Sequence, residues 1–436
     1  MSTSIQDVLA FIEDNDVKFI RLAFCDIFGQ QKNISIMPGE LTRAFAEGIC
    51  FDASALAGFM NVEQSDLLLF PDPSTLSVLP WRPSTGRVVR FFCDIRYPDG
   101  TPFEGDGRHV LRQAAAAAQK QGLNCMVGTE CEFYLFEVDE KGMPTRIPHD
   151  HASYFDVAPL DRAENVRRQI CLTLEEMGIQ PETSHHEQGP GQNEIDFKYS
   201  DAVHAADNMI TFKWVVKTMA GTNGLYASFL PKPLPGQPGS GLHINLSLFR
   251  DGQNIFRDPQ EAHSQTAESF IAGILQRTRE MALFFNPLAN SYERLCEFEA
   301  PRYITWSHQN RSPLIRIPLA YGQHRRMEYR ASDGCLNPYL AFALLIYAGL
   351  EGVAHKTPLP PACNLNLFTE DGSDYQALPD SLREAVDAAK SSKFVRENLP
   401  ARIFERFIAA KEDECEEYLK YRDPYSAAYK LYFERW

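Results

Sequence analysis

The stretch GTECEFYLF, Gly128 to Phe136, sets two glutamates inside a short apolar run. Runs of this length read as buried strands, and charge is normally kept out of them. Side chains two apart on a strand share a face. Glu130, Glu132 and Tyr134 therefore look one way, and Cys131, Phe133 and Leu135 the other. The pattern predicts a sheet with an apolar back and a front that carries functional groups.

Three other segments repeat it. In GLHINLSLF (241–249), His243, Asn245 and Ser247 oppose Leu242, Ile244, Leu246 and Leu248. In RRMEYR (325–330), Arg326, Glu328 and Arg330 share a face, and in QNEIDFKY (192–199) so do Glu194 and Asp196. A sheet with one wet side alternates in the same way, but ordinary wet faces mix Lys, Thr, Gln and Ser. Paired glutamates, His-Asn-Ser and Arg-Glu-Arg favour a shared cavity. Carboxylates brought together repel unless protonated or bound to cations. Glu130, Glu132, Glu187, Glu194 and Glu328 with His243 would suit two divalent ions, and oxygen-rich ligation favours Mg²⁺ or Mn²⁺ over Zn²⁺. Paired ions with converging arginines, here Arg294, Arg311, Arg316, Arg326 and Arg330, are the equipment of phosphoryl transfer. The sequence has no Gly-x₄-Gly-Lys-Ser/Thr loop and no G-x-G-x-x-G after a strand, so a nucleotide must be held another way.

The chain of 436 residues predicts two or three domains. Its 44% apolar and 23% charged residues are those of a globular protein. A net charge of −15 argues against binding nucleic acid or an anionic membrane. There is no run of 18 apolar residues, and MSTSIQDVLAFIEDND has neither a basic start nor a small-residue cleavage site. No membrane span, no secretory signal and a cytoplasmic location are predicted. Ten cysteines without a C-x-x-C pair predict buried free thiols, with Cys50, Cys93, Cys125 and Cys131 in apolar surroundings.

Residues 4–13 predict a short amphipathic helix, and VKFIRLAFCDIFGQQKNISI two strands joined by a turn at 26–29. Two more strands are predicted in 77–95. The Pro-, Gly- and Asp-rich segment 97–107 marks a domain boundary, giving domains 1–103 and 104–436. Helices are predicted from 108 to Gly122, over 162–178, 202–221, 262–285 and 337–354, and through most of the chain after 379. The aromatic tail PYSAAYKLYFERW predicts a docked C-terminus, on its own chain or on a neighbouring subunit.

Taken in order, GTECEFYLF, SHHEQGPGQNEIDFKY, PKPLPGQPGSGLHINLSLF, NSYERL, EAPRYITWSHQNRSPLIRIP, RRMEYR and NPYLA resemble the glutamine synthetase family, type I. FDASALAGF and PDGTPFEGD add to this, so the resemblance runs from about residue 15 to the C-terminus. It implies an α+β fold: a small N-terminal β-grasp-like domain and a catalytic domain with a curved antiparallel sheet surrounded by helices. It also implies a dodecamer of two hexameric rings with active sites between subunits. The reaction implied is phosphorylation of glutamate by ATP to γ-glutamyl phosphate, followed by displacement of phosphate by ammonia.

The resemblance assigns Glu132, Glu187 and Glu194 to one metal and Glu130, His243 and Glu328 to a second. Arg311, Arg316 and Arg326 would face the phosphates, Arg294 and Arg330 the glutamate carboxylates, and Gly239 its amino group. Glu182, Tyr199, Asn245 and Ser247 would hold the nucleotide, Tyr199 by stacking on adenine. Glu299 would be the flap residue that shields the intermediate and accepts a proton. Asp52, from the adjacent subunit, would bind and deprotonate ammonium.

Three departures fall on the acceptor side. FDASA (51–55) replaces FDGSS, leaving Ala55 for a serine. Pro238 replaces an asparagine in the Asn-Gly-Ser-Gly segment. The flap, CEFEAP, is one residue shorter than V-P-G-aromatic-E-A-P. Glutamine synthesis is the leading reading. Joining glutamate to a primary amine or polyamine is the alternative, and a non-catalytic ring the third. Phe368 stands where adenylylated relatives carry tyrosine, and Asn61 where the short, unadenylylated branch carries a feedback-related arginine. Neither control is therefore expected.

Overall fold

The computed structural model describes residues 4–256, 263–295 and 297–436. The start of the helix predicted from 262, and Cys296 at the head of the flap, lie outside them.

The N-terminal sheet has six strands. Gln31–Ile36, Val17–Cys25, Arg87–Arg96, Asp66–Pro71 and Ile49–Asp52 lie side by side in that order, and Ser77–Val78 pairs with Arg87–Arg96. Val17–Cys25 runs parallel to Arg87–Arg96, and the other pairs are antiparallel. The predicted hairpin forms, with Cys25 opposite Gln31 and the Asp26 carboxylate accepting from the amides of Phe28 and Gln30. Ile49–Asp52 and Asp66–Pro71 carry too little alternation to be predicted. On that short edge strand Cys50 is exposed, contrary to the expectation of a buried thiol, because only one neighbour strand covers it. Cys93, Cys125 and Cys131 are buried and free.

The larger sheet has ten strands and is built on Asn124–Val138, whose 15 residues contain the opening stretch. Leu242–Arg250 lies on one side of it, followed by Met327–Tyr329, Ile315–Ile317 and Trp306–His308. Gln192–Asp201 and then Pro181–His186 lie on the other. Its back, including Cys131, Phe133 and Leu135, is buried in the core. The helices Gly107–Lys120, Ala202–Thr222, Gln265–Phe285 and Pro338–His355 build the rest of that core. Pro338–His355 is long and apolar enough to cross a membrane by composition, but 72% of it is buried inside the protein, as in a core helix. It meets Gln265–Phe285 so closely that a Cβ on Gly352 would sit 2.1 Å from the Ser269 carbonyl. Only glycine permits that approach.

Arg108, 4% exposed on the helix Gly107–Lys120, ties the N-terminal sheet to the helices: it binds Asp94 on that sheet, Asp72 just past one of its strands, and Asp207 on Ala202–Thr222. The C-terminus docks on its own chain. Trp436 O accepts from the Phe229 amide at 2.7 Å and Arg435 O from Lys217 Nζ at 2.9 Å.

Candidate active site

Strand register gathers the polar front. Glu130 has Asp196 opposite on one side and His243 on the other. Glu194 faces Glu132 on one side and His185 on the other. Asn245 faces Glu328, and Glu328 faces Arg316. A single pleated surface thus carries a row of carboxylates that ends in arginines.

Two adjoining cavities open on this surface. The first, about 240 Å³, is lined by all six predicted metal ligands, by Gly239, Arg294, Arg311, Arg316 and Arg330, and by Glu299. The second, about 180 Å³, holds Glu182, Tyr199, Asn245, Ser247 and Arg326. Glu130 and Asp196 line both. Of the residues predicted from sequence, Asp52 alone lies outside. It is exposed on the N-terminal sheet, where its carboxylate accepts from the Ser54 amide at 2.8 Å and hydroxyl at 2.6 Å.

The charges are unevenly offset. Glu328 is 1% exposed and accepts from Arg316 at 2.6 Å and Arg330 at 2.5 Å, with His243 Nδ1 3.5 Å away. Burial works against the charge on Glu130. His243, Asn245 and Arg326 outweigh it and hold the carboxyl down to about 2. Asn245 links the two cavities, donating to Glu130 at 2.8 Å and accepting from Arg326 at 2.9 Å. Toward the other strand burial and neighbouring carboxylates outweigh the few positive groups. Burial, then Glu132, pushes Glu187 up to about 7. Burial, then Glu130, pushes Asp196 up to about 6. Burial and four surrounding carboxylates push Glu194 well up.

This donor chemistry fits divalent cations, which would relieve both burial and repulsion. Ligand atoms of Glu130, His243 and Glu328 lie within 4.8 Å of one another, as do those of His185, Glu194 and Asp196. Glu132 and Glu187 line the same cavity, Glu187 in contact with the Glu194 carboxyl. Glu132 accepts from the Gly241 amide at 2.8 Å, and Glu187 from the Gln188 amide at 2.8 Å.

Asp196, His185, Gln188, Gln192 and Tyr154 were not predicted as site residues. Asp196 follows Glu194 by two, so the alternation carries its signal. The position of His185 depends on the register of Pro181–His186, which the sequence does not reveal. Gly239 and Gly241 are required by close approach: added Cβ atoms would fall 2.7 Å from Arg294 Cγ and 2.5 Å from its Nη2. Arg294 is thus pressed against this loop and donates to Ala331 O at 3.0 Å. On the flap, Glu299 accepts from Gln188 at 2.8 Å, and Phe298 has φ +50°, unusual for a bulky side chain.

Residues 104–429 match the family described as glutamine synthetase, catalytic domain, and residues 16–98 match glutamine synthetase, beta-Grasp domain. The chain belongs to the glutamine synthetase family. It is 48% identical over 424 residues to a glutamine synthetase of Methanosarcina mazei, with 95% of each chain covered. It is 44% identical to that of Thermus thermophilus, with 94% of this chain and 95% of the relative covered. Among solved structures it superposes on an ADP complex of GmaS with TM-score 0.88 at 29% identity, covering 98% and 99% of the chains. The Plasmodium falciparum glutamine synthetase gives 0.86 at 25%, covering 99% of both. Membership of the glutamine synthetase family carries with it the use of ATP and divalent metal.

Proposed function

We propose that the protein is an ATP-dependent ligase that joins L-glutamate and ammonia into L-glutamine, releasing ADP and phosphate. The observation that carries this reading is that the two cavities meet at Glu130 and Asp196. A nucleotide in the Tyr199–Ser247 cavity would direct its terminal phosphate toward a carboxylate held by the buried Arg294 and Arg330 in the other. Arg311, Arg316 and Arg326 offset charge on the moving phosphoryl group. Gly239, packed against Arg294, would meet the glutamate amino group. Glu299, on the flap, keeps water from the acyl phosphate and takes a proton from the attacking amine.

Mg²⁺ or Mn²⁺, held by Glu132, Glu187 and Glu194 on one side and Glu130, His243 and Glu328 on the other, would screen the phosphates and polarise the phosphoryl group. The crowding of carboxylates around Glu194 supports this. His185 and Asp196 stand close enough to Glu194 to join or replace its partners.

Asp52, exposed and outside the cavity of its own chain, is read as the ammonium ligand of a neighbouring subunit's site. That requires a homo-oligomer, read as a dodecamer by family likeness. Family matches ending at 98 and starting at 104 support division into domains 1–103 and 104–436. A cytoplasmic location goes with these readings.

A second reading, amidation by a primary amine, is favoured by Tyr154 and Phe298, whose rings line the cavity beside Glu187 and Glu299. Aromatic faces next to carboxylates suit an alkylammonium. One assay separates the two. Protein with ATP, Mg²⁺ and glutamate is offered ammonia, methylamine, ethylamine, putrescine and hydroxylamine, and phosphate release and product mass are followed. Glutamine synthesis predicts ammonia as the best natural acceptor. Turnover with an alkylamine far above that with ammonia overturns it in favour of the second reading.

A further inference from the structure

Away from the catalytic cavities, a third cavity of about 200 Å³ opens where the N-terminal sheet meets the catalytic domain. The helix Ala202–Thr222 presents Lys213, Trp214 and Lys217 to it. Gln31 comes from the N-terminal sheet, Phe229 from the end of a core strand, and Trp436 from the docked C-terminus.

Two ammonium groups one helical turn apart repel. Burial lowers the pKa of Lys213, and burial followed by the charge of Lys213 lowers that of Lys217 to about 8. Among the described residues no carboxylate side chain lies at ion-pair distance from either. Each ammonium donates instead to a backbone carbonyl, Lys213 to Gly334 O at 3.1 Å and Lys217 to Arg435 O at 2.9 Å. An ammonium has three donors, so both keep capacity for an anion. Gln31 Oε1 is buried without a hydrogen-bond partner. The rings of Trp214, Trp436 and Phe229 supply the apolar wall.

We propose that this cavity binds a small aromatic carboxylate, with Lys213 and Lys217 taking its charge, the indoles its ring, and Gln31 a hydroxyl on that ring. Lysine serves as a compact point charge for such a group, and a flat ring gains contact against indole faces. The occupant would tie the N-terminal sheet to the catalytic domain. It would also touch Phe229, whose ring centre lies 5.8 Å from that of Phe133, the neighbour of Glu132. The site is thus an effector position with a packed route to the carboxylate strand.

The test is calorimetric titration of the full-length protein with 4-hydroxybenzoate, with Mg²⁺-ATP and glutamate present to fill the catalytic cavities. One saturable site per chain is expected. Lys217→Met should weaken it at least about tenfold, or ~1.4 kcal/mol, while Mg²⁺-ATP affinity stays unchanged. The uncharged ring p-cresol and inorganic phosphate should each bind more weakly than the probe. Gln31→Leu, which leaves both lysines in place, gives an independent check should the lysine variant fold poorly, and weaker binding is expected there too. Absence of saturable binding up to about 10 mM, displacement of the probe by glutamate, or unchanged affinity in a folded variant overturns the proposal.

Discussion

Lys232 and Glu297 form an ion pair at 2.5 Å that ties the flap to the loop carrying Gly239. Lys232 is 7% exposed, also donates to Gln237 O at 2.7 Å, and lies 4.6 Å from the centre of the Phe298 ring. Its backbone is fixed on both sides by Asn290. These contacts are a clamp on the flap segment that carries Glu299. Lys232→Met keeps the stem and removes the charge. It is expected to raise ATP cleavage without amide formation by about 3–10-fold, because a loose flap admits water to the acyl phosphate. Parallel assays of phosphate and amide check this, and an unchanged ratio would count against the clamp.

Glu299 accepts from Gln188 and lines the first cavity only, so the proton-transfer role proposed for it can be tested apart from nucleotide binding. Glu299→Ala should lower amide formation by about 10²-fold, within the range of a lost general base. ATP affinity should stay within about twofold, since Glu299 does not line the Tyr199–Ser247 cavity. Gln188→Ala, which frees the carboxylate without removing it, should fall between. Steady-state rates and nucleotide titration measure the two quantities, and equal loss in both would contradict the assignment.

What the sequence made legible was local. The period of two in GTECEFYLF and GLHINLSLF predicts which side chains face the cavities, and the structure has Glu130, Glu132, His243, Asn245 and Ser247 there. Tyr134, on the same face, is instead buried in an aromatic cluster, its hydroxyl donating to Pro238 O at 2.6 Å. Asp196 obeys the same period and stands in the same row. His185 becomes visible only when Pro181–His186 pairs with Gln192–Asp201, and pairing register is a tertiary fact. Lys232 and Glu297 are 65 positions apart, with nothing in either segment to couple them. Asp52 carries a family signal but touches no other site residue in one chain. Cys50 read as buried from its apolar neighbours, yet its edge strand leaves it open.

Acid should loosen the turn that presents Glu187. The Asp150 carboxylate, 1% exposed, accepts from His186 Nε2 at 2.9 Å and the Gly191 amide at 2.9 Å. Burial raises its pKa, but His186 and the amides of Arg162 and Gly191 outweigh that and hold it down to about 2. A depressed carboxyl contributes stability that is present above its unfolded value near 3.9 and lost as pH falls toward 2. The contribution is about 1–2 kcal/mol after solvent screening. His186 is shifted upward, so its share is present below about 6.5 and is lost on the alkaline side. Urea unfolding of Asp150→Asn should therefore show lower stability than the parent near pH 5 and a shallower loss between about pH 4 and 2. Parallel curves for the two proteins would exclude this linkage.

Chelation should expose the cost of packing acids around Glu194. With divalent ions removed by EDTA, Glu194 faces Glu132 and Asp196 faces Glu130 across the strands, and Glu187 crowds Glu194 from beside them. Turnover should cease and the melting temperature at pH 8 should fall by several degrees, roughly 1–3 kcal/mol of lost stability. Mg²⁺ should restore both. Glu194→Gln removes one buried charge, so the metal-free variant should melt above the metal-free parent, while its gain from added Mg²⁺ should be smaller. Replacing Glu328 is predicted to act in the opposite sense. Glu328→Gln leaves Arg316 and Arg330 without their shared carboxylate and should destabilise the protein with or without metal. Thermal melts of the three proteins, with EDTA and with Mg²⁺, measure this directly. Equal EDTA sensitivity in the parent and Glu194→Gln would show that the acids near Glu194 are not what the cation offsets.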